Sequence, residues 1–232
     1  MRKFLLPILS IIFVVGIATF VWASVMGTPH ELAAEPCAMC HTPHHATGQY
    51  PLWNRLQVLP ADAYLMYDSI TFDMGEDPRN QPRPPSTLCL TCHNGIASIL
   101  VNYPGPCSET DSSYDLEISG CADLDTDLTD DHPISFDYTD AGIAADNILD
   151  KNGFPPAQPI VLGSTRLAIP GTSGVLYPLY GSGVDNRWFE CATCHSVHHV
   201  EPDYDPVATN QVYFLRHDNT ESELCRDCHV NK

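Results

Sequence analysis

The sequence predicts a chain that is mostly coil and loops, with a few short helices and minimal strand. Two observations favour this fold class. The 232 residues include 20 prolines and 14 glycines, which interrupt regular secondary structure and suit loops. The five-residue pattern C-x-x-C-H also occurs four times, so four short segments carry the same reactive side chains at one fixed spacing. A chain organised around such segments need not build a conventional hydrophobic core.

The C-x-x-C-H pattern is the covalent attachment signal for a c-type haem. Two thiols on one turn can reach the two vinyl groups at one edge of a porphyrin, and the histidine that follows can ligate the iron from one face. Zinc ribbons also use paired C-x-x-C, but they leave the histidine at the same offset in all four copies unexplained. The sequence therefore predicts a multihaem cytochrome c with four covalently bound haem c groups, held by Cys37, Cys40 and His41, by Cys89, Cys92 and His93, by Cys191, Cys194 and His195, and by Cys225, Cys228 and His229.

Two of the signals are followed by further histidines, at His44 and His45 and at His198 and His199. On one helical turn, a residue three positions beyond His41 projects from the same face as that ligand. It cannot reach the opposite side of the same porphyrin. If His44 ligates iron, it must therefore serve a different haem and hold two haems close to one short peptide.

Residues 1–23 have the features of a secretory signal peptide. Arg2 and Lys3 precede a mostly apolar run over 4–21, and Ala23 offers a small residue for cleavage. A retained membrane anchor is the alternative, because the run is close to the shortest length that spans a bilayer. Export agrees with the haem signals, since c-type haem is attached outside the cytoplasm in bacteria. We expect no stable membrane insertion after cleavage.

The chain is strongly acidic. Removing residues 1–23 takes away Arg2 and Lys3 and no acid, so the formal charge changes from −18 to −20. Such a surface repels nucleic acid and anionic lipid, which argues against both as partners. It suits solubility and docking to basic partners or metal cations.

The haem signals divide the mature chain into three regions. Residues 24–93 carry the first haem pair, 94–190 form an acidic, loop-rich insert, and 191–232 carry the second haem pair. In each pair the first signal is followed by x-x-His-His and the second is preceded by leucine, which indicates an internal duplication. Elsewhere, the local sequence predicts a short helix over 62–75 and extended segments over 159–162 and 175–180.

The insert contains thirteen acids and no lysine or arginine between residues 94 and 150. The run from Asp123 to Asp131 suits a calcium site, but it lacks the spacing of an EF-hand loop, and a solvated acidic loop is the preferred interpretation. Cys107 and Cys121 are the two cysteines outside the haem signals. In an exported protein they most simply form a disulfide with each other, and a free reactive thiol is the alternative.

The chain resembles the doubled C-x-x-C-H multihaem cytochromes. Among these it is most similar to the tetrahaem cytochromes of the outer-membrane cytochrome E kind, which polymerise into extracellular electron-conducting filaments. The resemblance implies a continuous stack of four haems with two histidines on each iron. It also implies sparse secondary structure and an axial histidine donated across the subunit boundary. The segments that carry it are CAMCHTPHHA, PLWNR, LCLTCHNG, DHPISFDY, YPLYG, CATCHSVHH and FLRHDNTESELCRDCH.

The resemblance also implies the distal iron ligands. They correspond to a histidine in the leader, the two x-x-His positions and a His-Pro motif, which in this sequence are His30, His44, His198 and His132. The position after x-x-His is often asparagine in the family, whereas here it is His45 or His199. Either of these can replace its neighbour as the distal ligand.

These features predict electron transfer and no enzymatic activity, because two imidazoles per iron leave no coordination position for a substrate. We expect a head-to-tail homopolymer, located outside the cell or at its outer surface, that exchanges electrons with other redox cytochromes or extracellular metal acceptors. A monomeric periplasmic tetrahaem shuttle is the first alternative. A multihaem reductase with an open haem site, acting on nitrite or hydroxylamine, is the second.

Overall fold

The computed structural model describes residues 25, 28–31, 37, 40–42, 46, 52–54, 63–69, 81–95, 118, 122–138, 154–161, 164–181, 187–198 and 214–230. In this part of the chain the fold is mostly coil with few short helices and small sheets, as the composition predicts. Three short helices and five short strands are present there. They are α1 (Ser86–Cys89), β1 (Phe136–Asp137), β2 (Gln158–Pro159), β3 (Leu167–Pro170), β4 (Leu176–Pro178), β5 (Trp188–Phe189), α2 (Cys191–Cys194) and α3 (Glu223–Cys228), with a 3-10 turn over Thr220–Ser222 before α3.

The strands form two small antiparallel sheets. In the larger one β3 lies between β2 and β4, with Ile169 opposite Tyr177 and Ala168 opposite Gln158. In the smaller one β1 pairs with β5, so that Phe136 lies opposite Phe189. The predicted extended segment 175–180 contains β4, whereas of the predicted segment 159–162 only Pro159 belongs to a strand, β2, and residues 160 and 161 form a bend.

A small aromatic core lies between the two sheets and the last two haem signals. Ile169 and Tyr177 are almost completely buried, and partly buried Cys194 and Cys228 pack against the same cluster. The signals of the second haem pair are therefore attached to the sheets of the insert by apolar packing. The buried residues of this core are Phe136, Tyr138, Ile169, Tyr177, Leu179 and Phe189.

A second, smaller core surrounds the second haem signal. Tyr64, Leu90 and Leu128 are buried together, and Leu90 belongs to the signal itself. Leu65 pairs with the acidic loop: its N–H donates to the Thr126 carbonyl at 2.8 Å, and its carbonyl accepts from the Leu128 N–H at 2.8 Å. The helix predicted over 62–75 is therefore wrong for residues 65–69. Pairing with a distant segment outweighs the local preference.

Among the described residues no helix is long and apolar enough to cross a membrane. The predicted signal peptide over 1–23 lies outside the described residues.

Candidate functional site

All four C-x-x-C-H segments share one backbone hydrogen bond of the α-helical kind. In each, the histidine backbone N–H donates to the carbonyl of the first cysteine, at 2.9 Å for His41, 3.0 Å for His93, 3.0 Å for His195 and 2.9 Å for His229. Residues three apart on such a turn lie on one face, so the two thiols of each signal are neighbours. This is the local arrangement that attachment to two vinyl groups at one porphyrin edge requires.

Two pairs of histidines from distant segments face each other. The ring of His30, in the leader, lies 6.0 Å from that of His93 between centroids, with an angle of 59° between planes. The ring of His41 lies 5.9 Å from that of His198, with an angle of 22°. Each pair joins one histidine predicted as a proximal ligand to one predicted as distal.

These separations fit two imidazoles on opposite sides of one iron. With Fe–N bonds of about 2 Å and ring centres roughly 1.1 Å beyond each nitrogen, such a pair has centroids about 6 Å apart. Two unliganded rings in van der Waals contact usually stack or meet edge to face at 4.5–7 Å as well. The centroid separations therefore fit a haem iron between the two rings of each pair, and the haem itself is proposed below.

In His30 and His198 a lowered pKa favours the neutral imidazole that ligation requires. Burial lowers the pKa of His30, and the facing ring of His93 lowers it further. Burial likewise lowers the pKa of His198, with His41 as the second cause. His93 Nδ1 lies 2.6 Å from the Ala122 carbonyl, which favours the tautomer that leaves Nε2 as the ligating atom.

The predicted duplication has a counterpart in backbone geometry. After the first signal, Thr42 N–H donates to the Leu52 carbonyl at 2.9 Å and Asn54 N–H to the Cys40 carbonyl at 2.9 Å. After the third signal, the same two bonds recur at 2.7 Å and 2.9 Å, between Ser196 and Phe214 and between Arg216 and Cys194. In both copies the residue at the start of the returning segment is left-handed, with φ of 59° at Leu52 and 65° at Phe214.

The side chain of the left-handed residue Phe214 contacts His30. The Phe214 ring stacks on the His30 imidazole with centroids 4.6 Å apart and 19° between planes. An L-residue reaches this conformation at a cost of about 1–2 kcal/mol. The segment after the third signal therefore supports the imidazole that faces the second signal.

A buried carboxyl joins the second and third signals. Ser86, the first residue of α1, donates from Oγ to Glu190 Oε2 at 2.5 Å, and Ser135 Oγ donates to the same oxygen at 2.9 Å. Ser86 Oγ also accepts from the Cys191 N–H at 2.9 Å, while Thr193 Oγ1 accepts from the Glu190 N–H at 3.0 Å. The Ser86–Glu190 bond crosses 104 residues of sequence, and with the Ser86–Cys191 bond it holds α1 against α2.

The joint brings two predicted haem-attachment cysteines together. The side chains of Cys89 and Cys191 are within hydrogen-bonding reach of each other, which raises the pKa of Cys89 and lowers that of Cys191. These are the first cysteines of the second and third signals. Porphyrins attached at both positions would therefore have neighbouring edges.

A second buried carboxyl fixes the fourth signal to the larger sheet. Asp227 Oδ2 accepts from Tyr177 Oη at 2.6 Å and from Ser173 Oγ at 2.5 Å, and Oδ1 accepts from Ser173 N–H at 2.7 Å and Thr172 Oγ1 at 2.9 Å. Burial alone would raise the pKa of Asp227, but these donors hold it below its usual value. Gly171 allows the close approach, because a Cβ there would lie 2.6 Å from Asp227 Oδ2.

The same sheet also contacts the third signal. Tyr180 Oη donates to the Ala192 carbonyl at 3.0 Å, and Arg216 Nε donates to the same carbonyl at 3.0 Å. Arg216 Nη2 donates in turn to Tyr180 Oη at 3.2 Å. Side chains just before and within the second haem pair thus hold both of its signals.

The other predicted site residues have separate surroundings or lie outside the described residues. His132 stacks on Phe189 at 5.3 Å, and its Nδ1 lies 2.9 Å from the Pro133 carbonyl. The His229 ring meets that of Phe154 at 4.7 Å. Which imidazoles face His195 and His229 stays a prediction. Outside the described residues lie His44, His45, His199, Cys107 and Cys121.

The acidic loop has no metal-holding arrangement in the part of the chain that the structure describes. Its carboxylates instead bond to their own backbone: Asp123 Oδ1 accepts from the Asp125 N–H at 3.4 Å, and Asp127 Oδ1 accepts from the Thr129 N–H at 3.2 Å. Such turns are typical of a solvated loop.

Sequence reasoning missed Glu190 and Asp227, and it missed the equivalence of Leu52 and Phe214. Asp227 lies between the two cysteines of a signal, where any residue is allowed by the motif. Glu190 directly precedes Cys191 and looks in sequence like one more acid among 29 Asp and Glu. No signal in a single sequence distinguishes either from a surface carboxylate.

No protein-family model matches the chain, and no curated protein matches it significantly. The four identical turns and the two facing histidine pairs therefore carry the functional argument by themselves.

Proposed function

We propose that the chain is an exported tetrahaem cytochrome that transfers electrons through four closely spaced, bis-histidine c-type haems. The observation that carries this proposal is the facing of His41 with His198 and of His30 with His93 at about the separation that an intervening iron needs. Each pair includes the histidine of a C-x-x-C-H turn, so one iron ligand and two attachment thiols come from the same short segment.

Four covalent haems would be held by the cysteine pairs of the four signals, with His41, His93, His195 and His229 as proximal ligands. Bound haem iron supplies a one-electron ferric–ferrous couple, and bis-histidine ligation without methionine favours low potentials. The chain contributes neutral imidazoles, apolar surroundings and fixed spacing. His198 follows the third signal yet faces His41 of the first, so one peptide serves two neighbouring haems.

The joint between α1 and α2 supports the same function. Electron exchange between haems needs closely spaced porphyrin edges. Ser86 and Glu190 hold the attachment cysteines Cys89 and Cys191 beside each other, in a region where both side-chain partners are buried. A protein that only needed to bind four haems would not require this contact between two signals.

Low-temperature EPR and carbon monoxide binding on the exported holoprotein test the proposal. We expect four low-spin ferric centres and no prompt carbon monoxide uptake by the reduced protein. Because His199 can replace its neighbour, the variant that carries both His198→Ala and His199→Ala should convert one centre of the four to high spin and bind one carbon monoxide. His217→Ala is the control: it removes a ring that belongs to neither facing pair and lies 4.0 Å from Asp227 Oδ2, and it should keep four low-spin centres.

A high-spin centre in the unmodified protein would contradict bis-histidine ligation and favour a reductase with an open site. Retention of four low-spin centres in the variant that carries both His198→Ala and His199→Ala would contradict the ligand assignment at the first iron.

Assembly into a head-to-tail filament is the finer part of the proposal and rests on the family resemblance. A heterologous contact of this kind need not close into a ring. The acidic surface suits transfer to basic redox partners or to metal acceptors outside the cell. Cryo-electron microscopy of secreted material tests it: filaments with an axial histidine crossing between subunits are expected. Monomers in which all eight axial ligands come from the same chain would favour the monomeric periplasmic shuttle instead.

A further inference from the structure

The carboxyl group of Glu190 has one satisfied and one unsatisfied oxygen. The residue is completely buried, and Oε2 accepts hydrogen bonds from the hydroxyls of Ser86 and Ser135. Oε1 is also buried, and no hydrogen-bond donor among the described residues reaches it. A charged carboxylate in this position would leave one buried oxygen without a donor, and protonation at Oε1 removes that unsolvated charge.

The charged surroundings of Glu190 do not fully compensate a carboxylate. Arg83 is the nearby cation that favours the charged form, and the adjacent thiol of Cys191 opposes it. Cys89 also faces the group. Both thiols become uncharged thioethers when haem is attached. The other neighbours are the hydroxyls of Ser86, Ser135 and Thr193. Burial is the main reason why the pKa of Glu190 rises to about 8, so the group can change protonation near neutral pH.

The position of Glu190 connects it to two haem signals. It directly precedes Cys191, and its Ser86 partner begins the helix that ends at Cys89. Reduction of a nearby iron adds one negative charge to a buried region. Two like charges in a poorly solvated site repel strongly, so the added electron favours the uncharged form of a neighbouring carboxyl.

We propose that Glu190 is a proton-binding site that takes up one proton when the haem attached at Cys191 is reduced. This inference rests on the proposed function. An external one-electron donor reduces ferric iron to ferrous iron, and one proton from solvent bonds to Glu190 Oε1, converting the carboxylate to a carboxylic acid. Reoxidation removes the electron and returns the proton. No other bond forms or breaks, and the buried region keeps the same net charge in both states.

Reduced-minus-oxidised infrared difference spectroscopy of the holoprotein reads this proton directly. Between pH 8 and pH 9, where a pKa of about 8 leaves Glu190 largely charged before reduction, reduction should add one carboxylic-acid carbonyl band that is absent from the Glu190→Gln variant. The glutamine carbonyl still accepts from Ser86 and Ser135, so the joint is preserved. Glu221→Gln is the matched control, because it makes the same substitution at an exposed carboxyl beside α3, and it should retain the band.

Potentiometric titration supplies the second readout. One proton per electron changes the reduction equilibrium constant of one haem by at most tenfold per pH unit, or about 59 mV. We expect at least one tenfold change, or about 59 mV, for one haem between pH 6 and pH 9, and its loss in Glu190→Gln. Haem propionates also titrate, but their contribution persists in both variants. An unchanged band and an unchanged pH dependence in Glu190→Gln would overturn the proposal.

If Glu190→Gln does not yield holoprotein, Ser135→Ala decides the question. It removes one of the two hydroxyls that stabilise the carboxylate, so proton uptake should move to higher pH; uptake at an unaltered pH would overturn the assignment. Each sample is first shown by its optical and EPR spectra to contain four low-spin haems. Four low-spin haems without proton uptake refute only the role of Glu190, whereas the absence of four low-spin haems refutes the proposed function.

Discussion

Replacing Asp227 by asparagine should loosen the fourth haem signal from the larger sheet. The side chain keeps its shape, and Oδ1 can still accept from the Ser173 N–H and from Thr172. The new amide nitrogen replaces Oδ2, where Tyr177 Oη donates at 2.6 Å and Ser173 Oγ at 2.5 Å. An amide N–H₂ cannot accept either bond. Rotating the amide by half a turn would place its nitrogen beside the Ser173 N–H, so that two donors would face each other and the bonds to Oδ1 would be lost instead.

The size of this effect follows from the bonds that are lost. Hydrogen bonds to a charged acceptor contribute about 1.5–3 kcal/mol each, and Ser173 can rotate to recover part of one. We therefore expect the free energy of unfolding to fall by about 2–4 kcal/mol. For a protein of this size, about 1 kcal/mol corresponds to 2–4 °C, so Tm should fall by about 5–15 °C.

The loss should also depend on pH. Because the native pKa of Asp227 lies below its unfolded value, its contribution to stability is present above pH of about 4 and is lost as pH falls below it. The difference in Tm between the two proteins should therefore be full at pH 7 and shrink towards pH 3.

Scanning calorimetry of the holoproteins at one scan rate measures the effect. Asp130→Asn is the control, since it removes the same charge from an exposed loop position, and surface changes of this kind stay within about 0.5 kcal/mol. A Tm for Asp227→Asn as close to wild type as that of the control would refute the reasoning, because the two hydrogen bonds to Oδ2 would then contribute nothing net.

Three further predictions concern other parts of the site. Leu52→Gly should leave Tm unchanged or raise it slightly, because glycine reaches a φ of 59° without strain. Leu52→Val should lower the free energy of unfolding by about 1 kcal/mol. The reverse order of the two variants in calorimetry would contradict the left-handed assignment. Phe214→Ala removes a ring that stacks on His30, and such a contact contributes about 0.5–1.5 kcal/mol. The variant should therefore bind carbon monoxide at one reduced haem about 3- to 10-fold more favourably. Binding identical to wild type would show that the ring does not support the imidazole. Because the native pKa of Glu190 is raised to about 8, wild-type stability should fall as pH rises from about 4.5 through 8, by at most on the order of 5 kcal/mol. Glu190→Gln should lack this decline in Tm, and parallel pH profiles for the two proteins would contradict the prediction.

What the sequence predicts well is what is encoded within a few residues. The spacing of each C-x-x-C-H segment suits one α-turn, and the four histidine N–H bonds of 2.9–3.0 Å have the same form in every copy. The extended segment that contains β4 is likewise predicted from local sequence. Proline and glycine content indicates a loop-rich chain, which the described residues confirm.

What the sequence does not predict depends on side chains that meet across long separations. The Ser86–Glu190 bond spans 104 residues and the Asp227–Tyr177 bond spans 50. The residue type is the same for a buried and an exposed carboxylic acid, so the sequence does not distinguish them. Left-handed backbone at Leu52 and Phe214 is equally hidden, because neither is a residue type that favours it. The helix predicted over 62–75 fails at 65–69 for a related reason, since Leu65 pairs with a loop more than 60 positions away.

The facing of His41 and His198 has a consequence for maturation. An exported chain emerges amino end first, so its first haem attachment segment reaches the haem-ligating machinery long before the partner imidazole has crossed the membrane. On the proposed ligand set, the earliest haem to be attached is among the last to gain its second axial ligand. The immature chain would pass through a reactive stage with an exposed iron face, and complete translocation would end that stage.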